Sequence, residues 1–268
     1  MTRARFTKKA MRATVPSPAL RVAYRKKLLA LVNAIRAEVE RDILQTYRAD
    51  ENIITLDATP ADSLAKALDR IRKRFAADLD ARADELAKWF VGRTINHVKR
   101  AQLSAAKDSG LPDIGVAFSL GLVSQDVTAA LVQENVSLIK SIESQYLERV
   151  AGSVMRSVTA GRDLRGLAQQ LHRDYDITER RAAFIARDQN DKATNQISRE
   201  NVRAAGVKFG IWQHIPGRKS SRPTHEAMDG KRFELSKGMF DSAVDRWIFP
   251  GEEPGCRCRF RPVFEFEK

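Results

Sequence analysis

The stretch TPADSLAKALDRIRKRF, residues 59–75, decides the fold class of this chain. Thr59 can accept a hydrogen bond from the open N–H groups of a helix start. Pro60 has no N–H to lose at the first helical position, and Asp62 sets a negative charge against the positive end of the helix dipole. From there Leu64, Leu68, Ile71, Phe75, Leu79, Leu86 and Phe90 recur three or four residues apart, which lines one face of a helix. No proline intervenes before Pro112, so the pattern predicts a helix to about Asp108, with Gly92 as its weakest point. At about 1.5 Å per residue such a helix is roughly 70 Å long. Its apolar stripe is narrow, so it is expected to fold back as an antiparallel hairpin or to lean on another subunit.

Upstream, Leu28, Val32, Ile35, Val39 and Ile43 repeat the same spacing between Pro18 and Tyr47, which supplies the other arm of the hairpin. Downstream, SGLPDIGVAFSLGL (residues 109–122) interrupts the period with three glycines and a proline and reads as a loop. Helical spacing resumes after Gln125 through Val136, Ile139, Ile142, Tyr146, Val150, Val154 and Val158, and Gly161 ends it. A short helix is predicted over Leu164–Leu171. A longer one follows, capped by Thr178 and running through Ala182, Ile185, Ala193, Ile197 and Val202 to Gly206.

Beyond Val207 the composition changes. Pro216, Pro223, Pro250, Pro254 and Pro262 are five of the nine prolines, and with Gly217, Gly230, Gly238, Gly251 and Gly255 they exclude a long helix. KFGIWQH, KRFEL and RFRPVFEF alternate apolar and polar residues as short strands do. The fold class is therefore mainly α, with long amphipathic helices in the N-terminal half and a small irregular α+β module at the C-terminus. By sequence the chain divides into a basic flexible arm over 1–17, a long helical hairpin over 18–108 and a linker over 109–124. The last domain covers 125–268, helical over 125–206 and β-containing over 207–268.

A chain of 268 residues with 43% apolar content can bury a real core, and no run of about 18 uncharged apolar residues points to a membrane span. The N-terminus lacks the apolar stretch of a secretory signal, so the chain is expected to be made and at first to remain in a cytoplasm. The formal net charge is +13. Within residues 1–27 stand Arg3, Arg5, Lys8, Lys9, Arg12, Arg21, Arg25, Lys26 and Lys27 and no acid, a segment suited to nucleic acid or to an acidic protein surface.

Cys256 and Cys258 are the only cysteines, so no disulfide framework is expected and both thiols should be reduced. With His225 they supply three soft or borderline ligands, and His214, Asp229 or water would complete a tetrahedral zinc site. The spacing argues against it, because zinc knuckles are built on paired CxxC and a CxC pair sets neighbouring ligands awkwardly. The expectation is no cofactor, with packed thiols and a hydrogen-bonded histidine fixing a loop-rich fold. The alternative is a metal-assisted nuclease or related enzyme, with His225 and Asp229 as acid/base pair and Cys256 activated beside Arg257. No second carboxylate is marked by spacing and no glycine run fits a phosphate loop, so the sequence points to a protein that is not an enzyme. Arg180, Arg181, Arg187 and Arg199, interspersed with Asp188, Asp191 and Glu200, read as a solvated helix face. Trp212 and Trp247 read as core.

Five segments in this order, NVSLIKSI (135–142), ITERRAAFIARDQ (177–189), AAGVKFGIWQH (204–214), RPTHEAMDGKRF (222–233) and PGEEPGCRCR (250–259), resemble the Mu F-like family of tailed-phage minor head, or head morphogenesis, proteins. The resemblance covers about residues 125–262, half the chain. It implies a capsid assembly protein that binds the portal protein at the portal vertex inside the procapsid. It also implies contact with packaged double-stranded DNA, scaffold or major capsid protein, a place in the virion interior after assembly in the host cytoplasm, and no membrane. By position it carries over Arg222, His225, Gly230, Pro254, Cys256, Arg257 and Cys258 as signature residues, with Arg187 and Trp212 as helix and strand markers, in structural rather than catalytic roles. Many relatives carry further cysteines or a histidine beside these motifs. Here Ser220 and Ser221 precede Arg222, and Glu253 and Pro254 precede Gly255, which by itself speaks against metal.

Overall fold

The structure, a computed structural model, describes residues 6–49, 60–111, 123–160, 163–217 and 221–267. Four long helices carry most of it: α1 (Pro18–Ala49), α2 (Pro60–Asp108), α3 (Gln125–Thr159) and α4 (Leu164–Ala204). With a small strand-bearing C-terminal region they make the fold mainly α, as the sequence predicts. The expected cap at Thr59 and residues 112–122 of the predicted linker lie outside the described residues.

The chain gathers into two compact units, and each long helix contributes to both. One unit comprises Val22–Lys88 and Val132–Ala186. The other takes the residues up to Arg21, Trp89–Leu131 and everything from Arg187 onward. Compactness therefore does not divide where the sequence changes character, at 109–124, because helices of this length each serve two cores. The helical unit packs Ile35, Val39, Ile43 and Tyr47 of α1 against Leu64, Leu68 and Ile71 of α2, Tyr146, Val150 and Val154 of α3, and Leu167 and Leu171 of α4. These are the periodic positions of the sequence, and each buried aliphatic side chain contributes about 1.5–3 kcal/mol of transfer free energy.

One helix was expected as two. Thr178 does not cap a new helix; its Oγ1 donates to the Asp174 carbonyl 2.9 Å away, four residues back, and α4 runs through. Asp174 is itself buried, accepting from Ser153 Oγ of α3 at 2.6 Å and from Gln170 Nε2 at 3.0 Å, so the polar stretch 172–178 is held in helical register.

In the other unit an antiparallel sheet has strand order β1-β6-β2-β3, with β1 at Phe6–Ala10, β2 at Phe209–Gln213, β3 at Arg232–Glu234 and β6 at Arg259–Glu267. The last three match the strands read from the sequence. The first corrects it. Residues 6–10 are not part of a flexible arm but an edge strand, with Lys8 opposite Glu265 in register and its Nζ 3.5 Å from that carboxylate. A cross-strand pair of opposite charge favours this register. Met11 follows with its N–H on the Pro262 carbonyl and its side chain buried. A separate hairpin pairs β4 (Met239–Asp241) with β5 (Arg246–Ile248), and one short helix, α5 (Pro223–Ala227), sits between β2 and β3 in the chain. The core of this unit gathers Met11, Ala105, Val202, Trp212, Phe233, Leu235, Ile248, Phe260 and both cysteines.

Candidate functional site

The residues singled out by sequence converge at one end of β2. His214 follows the last residue of that strand, Arg222 stands immediately before α5, His225 lies within α5, and Cys256 and Cys258 precede β6. The loop carrying the cysteines turns at Glu253, whose carbonyl accepts the Cys256 N–H at 2.8 Å. Side chains two residues apart in extended chain project to the same side. Both thiols accordingly point inward, 4% and 2% exposed, and both are free.

His225, 2% exposed, faces them through Nδ1, which lies 3.4 Å from Cys256 Sγ and 3.7 Å from Cys258 Sγ. Cys258 Sγ is also 3.4 Å from Nδ1 of His214. The donor atoms of His225, Cys256 and Cys258 all fall within 4.8 Å of one another, so the CxC spacing does not keep them apart. On its far side His225 Nε2 meets Asp241 Oδ2 at 3.1 Å, and Asp241 is fully buried. The Asp241 carboxylate also accepts the Ala243 N–H at 2.9 Å. The sequence paired His225 with Asp229; the structure replaces that pair. Asp229 instead accepts the backbone N–H of His214 at 2.7 Å, and the catalytic dyad expected of an enzyme does not form.

The charges follow from these contacts. Burial opposes a charged imidazole, but bonding to Cys256 and Asp241 outweighs it and holds the His225 pKa above the ordinary value. Burial alone would raise the Asp241 carboxyl, yet the Ala243 N–H and His225 keep it below the usual range. Between the thiols, the hydrogen bond from Cys256 brings Cys258 down to about 7, while the same bond and burial push Cys256 up.

Every segment of the cluster is pinned through its backbone. Arg222 Nη2 donates to the Pro254 carbonyl at 2.9 Å, Asn195 Nδ2 of α4 to the Cys258 carbonyl at 3.2 Å, and the Gly255 N–H to Asp188 Oδ1 of α4. Gly230 N–H donates to the Trp212 carbonyl and Trp212 N–H to that of Lys231, both at 2.9 Å, which closes the turn after α5 onto β2. Arg257 is half-buried beside the thiols, and Arg187 is half-buried on α4. The face of α4 expected to be solvated is therefore partly interior: Asp188 and Asn195 are buried because they hold the cysteine loop. Arg199 stacks 3.5 Å over the Phe249 ring. Trp212 is core as expected, whereas Trp247 is 46% exposed and corrects the other half of that expectation.

Asp241, Asp188 and Asn195 were not picked out by sequence. Asp241 had one local signal, the DSA tripeptide whose side chain closes on the N–H two residues later. The basic N-terminal set is dispersed. Arg3 and Arg5 lie outside the described residues. Arg12 pairs with Asp108 at 2.9 Å and Arg25 with Glu179 at 3.1 Å, while Lys9, Arg21, Lys26 and Lys27 are exposed.

Residues 148–261 match the protein family described as Phage Mu protein F like protein. The match opens inside α3 and closes in β6, so it contains every residue of the cluster. Over that span the chain is similar to Mu F-like phage proteins. A Haemophilus influenzae protein described as uncharacterized is 29% identical over 246 residues, 90% of this chain and 53% of that protein. The chain thus spans about half the length of the curated relative it matches. No solved structure matches it. Among the described residues, no helix is long and apolar enough to cross a membrane.

One acid of the α4 face makes a pH prediction. Burial raises the Asp191 carboxyl to about 6, against the opposing pull of Arg259, Arg257 and Arg21 and with a small addition from Asp188. A carboxyl whose folded pKa is raised contributes stability at low pH that is lost as pH rises from about 4 through about 6. Asp191→Asn is expected to gain up to about 3 kcal/mol relative to wild type across that window. Urea denaturation at several pH values measures it, and parallel stability curves for the two proteins refute it.

Proposed function

We propose that this chain is a Mu F-like protein, a minor head component that acts in head morphogenesis from the portal vertex inside the procapsid, without catalysing a reaction. The observation that carries the reading is what the signature residues do. Arg222, His225, Trp212, Cys256 and Cys258 are spent on fastening α5, β2 and the cysteine loop to one another, and His225 and both thiols are at most 4% exposed. A general acid or nucleophile needs reach to a substrate atom, which burial of this kind removes.

Contact with other head proteins is better served by the β4–β5 hairpin, where Phe240 and Trp247 are 47% and 46% exposed and pack edge-to-face at 6.0 Å. Exposed aromatics of this kind serve as anchors in protein interfaces. The exposed Lys9 and Lys26, with the net charge of +13, support a contact with packaged DNA. Heads purified from producing cells are expected to contain this chain in fewer copies than the major capsid protein and to crosslink it to the portal protein. Phe240→Ser with Trp247→Ser should weaken the crosslink, and Lys9→Gln with Lys26→Gln should flatten the salt dependence of DNA retention. Heads that assemble without the chain would end the head reading. Unchanged DNA retention removes the DNA contact alone.

A further inference from the structure

We infer that His214, His225, Cys256 and Cys258 form a closed four-ligand zinc site, with Asp241 as the buried carboxylate that orients His225. His225 gives its Nε2–H to Asp241, 3.1 Å away, which leaves a single lone pair on Nδ1. Two thiols converge on that lone pair, at 3.4 and 3.7 Å, and one lone pair accepts a full hydrogen bond from only one of them. A cation at their centre serves all three atoms at once.

The spacing fits. With zinc–sulfur and zinc–nitrogen bonds of about 2.3 and 2.1 Å, the edge joining S to N in a tetrahedron is about 3.6 Å. The two S–N separations within the group of His225, Cys256 and Cys258 are 3.4 and 3.7 Å, and His214, outside that group, adds one contact of 3.4 Å from its Nδ1 to Cys258 Sγ. His214 thus supplies the fourth ligand. Two thiolates with two imidazoles in tetrahedral array are a donor set suited to zinc. A carboxylate on the remote nitrogen of a ligating histidine fixes its tautomer and ring plane, which is the part Asp241 would play.

Four protein ligands leave no open position, so the site is structural: it ties the end of β2, α5 and the loop before β6, three segments distant in sequence, at one point. The backbone bonds from Asp229, Arg222, Asp188 and Asn195 hold those segments in place for it. A module of this size with short strands gains from such a staple.

The test uses the full chain produced with zinc present. Elemental analysis after desalting is expected to give about one zinc per chain. Both thiols should resist a thiol reagent until a chelator is added. Replacing zinc by cobalt should produce thiolate charge-transfer bands together with the intense visible bands of tetrahedral geometry. Cys256→Ser and His225→Gln should lose the metal. His225→Cys should keep it with a changed cobalt spectrum, which separates ligand loss from misfolding. Asp241→Asn should weaken zinc binding about 10- to 100-fold while the cobalt spectrum stays tetrahedral. His214→Ala should shift that spectrum, and an unshifted one overturns His214 as fourth ligand. Wild-type protein that carries no zinc after exposure to it, with thiols equally reactive before and after chelation, overturns the site. The outcome is independent of whether the chain is found in heads.

Discussion

Trp212→Ala is expected to destabilise the β-containing unit by about 3–5 kcal/mol, a large part of the margin by which any domain stays folded. Trp212 is 1% exposed at the centre of that core, its ring edge-to-face with His225 at 5.6 Å and with Phe233 at 5.8 Å, and Phe233 in turn packs on Phe260 at 6.3 Å. Truncation removes the wall shared by the His225 and Phe233 rings, and the backbone cannot close the gap, because the Trp212 N–H and carbonyl are both committed to the turn at Gly230 and Lys231. The loss should also reach His225, so the thiols should become accessible in parallel with the fall in stability. Trp247→Ala is the control. That ring is 46% exposed with Lys237 Nζ 3.9 Å above it, so its removal should cost no more than about 1 kcal/mol. Guanidinium unfolding followed by circular dichroism distinguishes the two residues, and equal costs would contradict this account of the core.

The contrast between these tryptophans shows where sequence reasoning stops. Both lie in short alternating stretches, and period alone makes both core. What separates them is sheet position: Trp212 sits on β2 between β6 and β3, whereas Trp247 lies in a two-stranded hairpin with one face open. The long helices were legible because their signals are local. The apolar stripe, the absence of proline and the composition break at Gly206 each act within a turn or two of the residues they govern. Thr178 misled because a threonine hydroxyl caps a helix or bonds back four residues with equal ease, and burial of Asp174 settles which.

The candidate site was half legible for the same reason. His225 and the cysteines stand out by residue type. Their supports do not, because each support is chosen by topology. Asp229, four residues from His225, is the obvious carboxylate in sequence, yet the turn after α5 aims it at the His214 backbone. The partner that reaches the imidazole, Asp241, arrives 16 residues later on another hairpin. Asp188 and Asn195 look like one side of a charged helix until the cysteine loop, more than sixty residues on, is laid against them. Strand β1 is the extreme case: a lysine-rich pentapeptide carries no strand signal, and only the far end of the chain gives it a partner.

Asp241 depends on a hairpin whose position hangs on one glycine, and Gly238→Ala is expected to cost about 3 kcal/mol or more. Two penalties add. Gly238 has φ +86°, a conformation that costs an L side chain about 1–2 kcal/mol. A Cβ there would also run into the carbonyl oxygen of Ile248, a backbone atom of β5 that no rotamer change can move. The Gly238 N–H is held at 2.9 Å by the Glu234 carbonyl, so the strain cannot be relieved on that side either. The hairpin must shift as a body, and Met239, opposite Ile248 in register, carries Asp241 with it. Gly206→Ala isolates the first penalty, since Gly206 has φ +81° but open space where a Cβ would stand. The Gly206 variant should lose only about 1–2 kcal/mol. Its His225–Asp241 hydrogen bond, read from the downfield imidazole N–H resonance, should persist, whereas in the Gly238 variant that resonance should broaden or vanish. Should both glycine variants lose the same stability and keep the same resonance, the contact with Ile248 does not place Asp241, and its hold on His225 must come from the Ala243 turn alone.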